Sequence, residues 1–182
     1  MACKPINHFF LLLIINVIYV EVSSKCHHVP TVIPPFNEME GKWYPIQTGD
    51  PLELSRNCVT YNFTYSKTKE GEVIRAYRLS DTGKQEKFKA VLLNGRVTVQ
   101  RKGNKDDHVM NLLVPSVDPN KYYVSYICDP KSNDLGFVYV SVRHRYLENY
   151  YRKFVETFWT KFGFNKKEMF GISQQGCPNV EG

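Results

Sequence analysis

What the sequence lacks narrows it first. Beyond the N-terminus there is no apolar run of the roughly 18 residues a spanning helix needs, so no helix of the body is built to cross a bilayer. No short period runs through the chain, which excludes collagen-like, coiled-coil and low-complexity architectures. No two cysteines are spaced as a CxxC pair, which argues against zinc. Tryptophan is scarce, and neither copy lies between Cys58 and Cys128, so the immunoglobulin pattern is missing. Also absent are a serine elbow, a His-Glu-x-x-His helix and a glycine-rich phosphate loop. The chain does not read as an enzyme, and no residue is assigned a catalytic role.

What is present suits one domain. The 182 residues are 42% hydrophobic and 23% charged, too apolar for disorder and too short for two large cores. Lys4 followed by the apolar stretch Phe9–Val20 and the small residues Val22-Ser23-Ser24 reads as a secretory signal peptide over residues 1–24, which leaves a domain over 25–182. Its removal takes Lys4 and Glu21 together, so the net charge stays at +6. Removal of Cys3 leaves Cys26, Cys58, Cys128 and Cys177, and four cysteines in a secreted domain predict two disulfides with three open connectivities. The sequon Asn62-Phe63-Thr64 marks Asn62 as a glycosylation candidate that must then face solvent.

From Lys42 to Val142, short alternating apolar segments separated by turn residues predict about eight antiparallel strands. The turn signals are Asp81-Thr82-Gly83, Asn94-Gly95, Gly103-Asn104 and the Asp129–Asp134 loop, with Asn94-Gly95 the strongest hairpin signal. After Arg143 the period changes. Leu147, Tyr150, Tyr151, Phe154, Val155, Phe158, Trp159 and Phe162 recur at helical steps, and Gly163 stands at the expected C-cap. Eight strands and one amphipathic helix fit a closed barrel or a sandwich equally well.

Four stretches distinguish these. Phe36-Asn37-Glu38-Met39-Glu40-Gly41-Lys42-Trp43-Tyr44, Val117-Asp118 with Tyr126-Ile127-Cys128, Arg143 after Tyr139–Val142, and Gln174-Gln175-Gly176-Cys177 together resemble the lipocalins. Within that family the chain is most similar to the apolipoprotein D and insect bilin-binding (insecticyanin-like) group. Val117 stands where the family usually carries threonine. The resemblance implies an all-β, eight-stranded up-and-down barrel with one outer C-terminal helix and a short final strand. It also implies pairing Cys26–Cys128 and Cys58–Cys177, and structural roles for Gly41, Trp43 and Arg143. Physical sense supports the last three. A guanidinium over an indole gains cation–π attraction, and a glycine permits close backbone approach.

If Asn62 is outside a barrel, Tyr61, Phe63 and Tyr65 point in. The other inward faces are assigned as those holding Tyr77, Phe88, Val97, Val99, Met110, Leu112, Tyr123, Ile127, Phe137 and Tyr139, with Val138, Val140 and Val142 facing the helix. A pocket so lined suits a flat apolar molecule of about 20 to 40 heavy atoms, such as a bilin, lipid or retinoid, bound without any required cofactor. Metal is not expected, since His27-His28 beside Cys26 and His108 at a strand start read as solvated histidines. Lys84, Lys87, Lys89, Arg96, Arg101, Lys102 and Lys105 could form a positive rim toward acidic lipids, bilins with propionates, an anionic surface or a membrane receptor, with solubility as the plainer reading, whereas nucleic acid is not an expected partner. Oligomeric state is left open. Two functions follow: a secreted carrier of a small hydrophobic molecule, or a secreted interaction protein, such as a scavenger or inhibitor, with a vestigial cavity.

Overall fold

The alternating segments form antiparallel strands in the computed structural model, which describes residues 26–53, 56–80, 83–102, 109–129, 136–145, 149–164, 167 and 169–178. The signal segment, Asp81, Thr82, Gly103, Asn104, Lys105, His108, most of the Asp129–Asp134 loop and Leu147 lie outside the described residues, as do the side chains of Tyr150, Tyr151 and Phe154. The strands are β1 (Gly41–Thr48), β2 (Thr60–Thr68), β3 (Gly71–Ser80), β4 (Gly83–Leu93), β5 (Arg96–Arg101), β6 (Val109–Asp118), β7 (Tyr122–Cys128) and β8 (Phe137–Val142). Each pairs with the next, and β1 pairs with both β8 and β2, so the sheet closes into a barrel. Helix α1 (Asn149–Lys161) packs outside it, and β9 (Phe170–Gly171) pairs with β1 outside the ring.

Local chemistry accounts for the hairpins. Asn94 and Gly95 adopt φ of 51° and 75°, the two positive values a tight two-residue hairpin needs, and thereby set Leu93 opposite Arg96. Gly163, at φ 76°, follows the end of α1. The helix covers β7 and β8: Val155, Phe158 and Trp159 pack on Val124, Tyr126, Val138, Val140 and Val142. Strand β7 is therefore buried on both faces, one toward the helix and one toward the barrel interior.

The closing seam needs more than backbone pairing. β1 bonds to β2 only over Gly41–Trp43, and β9 takes the edge that β2 leaves. Gln174, buried at 7% exposure, donates through Nε2 to the carbonyls of both Pro45 and Val59, bridging the two strands where they part. Cys58–Cys177 fastens this tail, and Cys26–Cys128 ties the N-terminal segment to β7. With separations of 102 and 119 residues, each crosslink is worth about 4–5 kcal/mol in the chain-entropy account.

The floor is sealed by the 3-10 turn Phe36–Glu38, with Phe36 and Met39 buried beneath the barrel. Trp43 is fully buried, donates Nε1–H to the Met39 carbonyl at 2.7 Å, and meets Tyr123 edge-on. The Arg143 guanidinium lies 3.9 Å from the Trp43 ring centroid. It does more than the cation–π contact read from sequence, because it also donates to the carbonyls of Glu38, Glu40, Lys42 and Pro119. Gly41 sits at φ 102°, a conformation that favours glycine, and a Cβ there would stand 3.2 Å from Arg143 Nη1 and press on the guanidinium.

Candidate functional site

The barrel encloses a cavity of about 40 Å³, lined by Pro34, Phe36 and Met39 from the floor and by Tyr61, Phe63, Ile74, Phe88, Ala90, Leu112, Val114, Tyr123, Ser125, Ile127 and Tyr139 from the walls. Apart from Ser125 and the tyrosine hydroxyls, these side chains offer only aliphatic, aromatic and thioether faces. The space is small because aromatic rings fill it. Phe63 lies 5.9 Å from Phe88 and 5.7 Å from Tyr123, and Tyr61 lies 6.2 Å from Phe88, measured between ring centroids.

The alternation in β2 places Tyr61 and Phe63 in this lining, with Phe88, Leu112, Tyr123, Ile127 and Tyr139 from other strands. Val97 packs beside the floor cluster, while Val99, Met110 and Phe137 pack with Ile127 and Tyr139. These four face inward but do not line the cavity, and Tyr77 does not face inward. It pairs with Asn62 and Glu86, on the outer face of the barrel, and its ring lies 4.3 Å beneath Lys84 Nζ. The signal was available. Pairing of Thr68 with Gly71 across the β2–β3 turn sets odd residues of β2 opposite even residues of β3, which turns Ile74 and Ala76 inward and Tyr77 outward. The same count finds Ile74 and, one strand further, Ala90, both missed by reading each strand separately. Pro34, Phe36 and Met39 join only because the N-terminal segment crosses the floor. Asn62 is outward and half-buried.

The open end carries a polar layer. After β1 the chain turns inward through the 3-10 turn Pro51–Glu53, burying Asp50 completely and leaving Glu53 4% exposed. Asp50 Oδ2 accepts hydrogen bonds from Tyr139 OH and from Arg101 Nη2, the latter at 2.5 Å. Glu53 Oε1 accepts from Tyr61 OH at 3.1 Å and lies 3.7 Å from Arg56 Nη1. Burial first, then the neighbouring carboxylates, push the Tyr61 and Tyr139 phenols well above their ordinary range. Burial and the nearby cations Arg56 and Arg78 lower Lys87.

The basic residues read as a rim are therefore differently disposed. Arg101, on the same face of β5 as Val97 and Val99, points into the mouth, where its guanidinium also lies 5.3 Å from the Phe137 ring. Lys89 is paired with Glu70 at 2.5 Å on the outer wall. Among the described residues, no three histidine, cysteine or acidic side chains converge as metal ligands.

Neither models of known protein families nor curated proteins match the sequence. Solved structures do. Lobster apocrustacyanin A1 superposes with a TM-score of 0.60 at 20% identity, over 80% of this chain and 83% of that one. Insecticyanin from the tobacco hornworm Manduca sexta gives 0.58 at 13% identity, over 81% and 85%. H1 crustacyanin from the lobster Homarus americanus gives 0.56 at 19% identity, over 84% and 92%. At these identities the likeness is one of fold, and the fold is that of the lipocalins.

Proposed function

We propose that the protein is a secreted carrier that holds a small apolar molecule, of the bilin, lipid or retinoid kind, inside its barrel. The observation that carries this reading is the continuous apolar lining of a barrel that is sealed at the floor by the N-terminal segment and covered at the mouth by the Asp50–Glu53 segment. Two long-range disulfides suit an oxidising extracellular setting, in keeping with the signal-peptide reading of residues 1–24. Among the described residues, no helix is long and apolar enough to cross a membrane. Asn62, on the outer wall, is a candidate for glycosylation that would not obstruct the cavity. The role is one of binding, not catalysis.

A space of 40 Å³ is far below the roughly 300–1,000 Å³ of ordinary ligand pockets. Entry therefore requires the Tyr61, Phe63 and Phe88 rings to swing aside. The same small volume favours a second reading, in which the cavity is vestigial and the protein acts through its outer surface.

Titration separates the two. Bilin, haem, a fatty acid, a retinoid and a sterol would be added to the purified protein while Trp fluorescence and visible absorbance are followed. Binding of at least one of them tighter than about 100 μM, roughly 5.5 kcal/mol, supports the carrier. Failure of all five leaves the surface reading in its place.

A further inference from the structure

The cavity is apolar to its upper end, yet its mouth is held by a guanidinium and a phenol that converge on one carboxylate oxygen, Asp50 Oδ2. Arg101 and Tyr139 are thus arranged as a carboxylate clamp, now loaded with an acid from the protein's own chain. Tyr139 belongs to both parts, since its ring lines the cavity and its hydroxyl reaches the clamp. Phe137, beneath Arg101, restrains the guanidinium.

Around the clamp, Lys87 lies within electrostatic reach of Arg56, Arg78, Arg101 and Glu53, Arg56 lies beside Glu53, and Arg101 is paired with Asp50. Arg78 Nε is buried with no hydrogen-bond partner, and so is Glu53 Oε2. A buried donor without an acceptor is costly, and a further acceptor at the mouth would supply the bond that Arg78 Nε lacks. A carboxylate supplies it more strongly than a neutral polar head, because its bonds to a guanidinium are charge-assisted.

We propose that the mouth is a carboxylate-binding site: Arg101 and Tyr139, supported by Arg78 and Lys87, receive the carboxylate of an apolar acid whose chain fills the cavity, in competition with Asp50. The inference rests on the carrier reading and names its ligand class. Binding then exchanges one carboxylate for another. The Gly49–Glu53 segment is displaced from the clamp while the apolar tail spreads the aromatic rings below it.

The experiment compares dodecanoic acid with dodecan-1-ol by isothermal titration calorimetry at neutral pH. Wild-type protein is expected to bind the acid about tenfold or more tightly than the alcohol, the scale of one charge-assisted bond. Asp50→Asn, which removes the competitor, should tighten acid binding and leave the alcohol unchanged. Arg101→Met should weaken the acid about tenfold and leave the alcohol unchanged. Equal binding of acid and alcohol by the wild-type protein overturns the clamp and leaves the carrier standing, and needs no variant to fold. Weaker acid binding by Asp50→Asn also overturns it, since Asp50 would then be positioning Arg101 instead of competing for it. If neither compound nor any member of the titration panel binds, both readings fall.

Discussion

The two ends of the barrel use arginine in opposite ways. At the floor, Arg143 lies across Trp43 and donates to four backbone carbonyls, so its charge is spread over dipoles and no carboxylate is brought into the core. At the mouth, Arg101 faces a fully buried carboxylate, with a second acid nearby and polar atoms left unmatched. The floor arrangement can only hold or break. The mouth arrangement can trade partners, because a carboxylate from elsewhere satisfies the same donors. Stability should therefore respond most to the floor and ligand selectivity most to the mouth.

The largest effect is expected at the floor. Trp43→Ala removes a fully buried indole and should lower unfolding stability by about 3–5 kcal/mol in urea titration. Arg143→Ala should cost somewhat less, about 2–3 kcal/mol, since several charge-assisted bonds and the cation–π contact go together while the carbonyls regain some water. Arg143→Lys should recover only a minor part, because one ammonium cannot span four carbonyls. Full recovery by lysine would show that charge alone matters there.

Tyrosine ionisation compares the two ends directly. Tyr123 at the floor is raised by burial, whereas Tyr61 and Tyr139 at the mouth are raised by burial and by Glu53 and Asp50. All three shifts are upward, so the neutral phenols favour the folded state. That contribution is complete below about pH 10, the unfolded tyrosine value, and is lost as pH rises from there toward the folded values. Phenolate absorbance should show these three ionising only together with loss of the near-ultraviolet circular dichroism. Independent ionisation of any of them in a folded protein would show that it is in contact with water. The smallest effect is expected outside the barrel. Tyr77→Ser should change stability by no more than about 1 kcal/mol and leave ligand affinity unchanged, whereas a loss of binding would put that ring back inside.

Much of the cavity could be read from residue alternation. Tyr61 and Phe63 follow from the outward sequon, and Val97 and Val99 follow from their partners across Asn94-Gly95. Tyr77 was misplaced because its face depends on counting through the β2–β3 turn, and an aromatic residue in an apolar strand carries no mark of the face it occupies. Arg101 was read as rim charge although it keeps step with Val97 and Val99, since charge suggests solvent more strongly than parity suggests the interior. Nothing local distinguishes Asp50 and Glu53, in a polar loop segment, from solvated acids.

By itself the sequence determined the strands, the tight turn at Asn94-Gly95 and the helix, and its resemblance to the lipocalins implied the floor residues Gly41, Trp43 and Arg143. These rest on interactions between near neighbours, or on motifs whose side chains admit few alternatives. Only the tertiary structure decided that β9 and Gln174 complete the seam where β2 leaves β1, and that Asp50 meets Arg101 and Tyr139 above the cavity. Asp50 lies 51 residues from Arg101 and 89 from Tyr139 in the chain, so their contact exists only once barrel closure brings the ends of β1, β5 and β8 to the same rim.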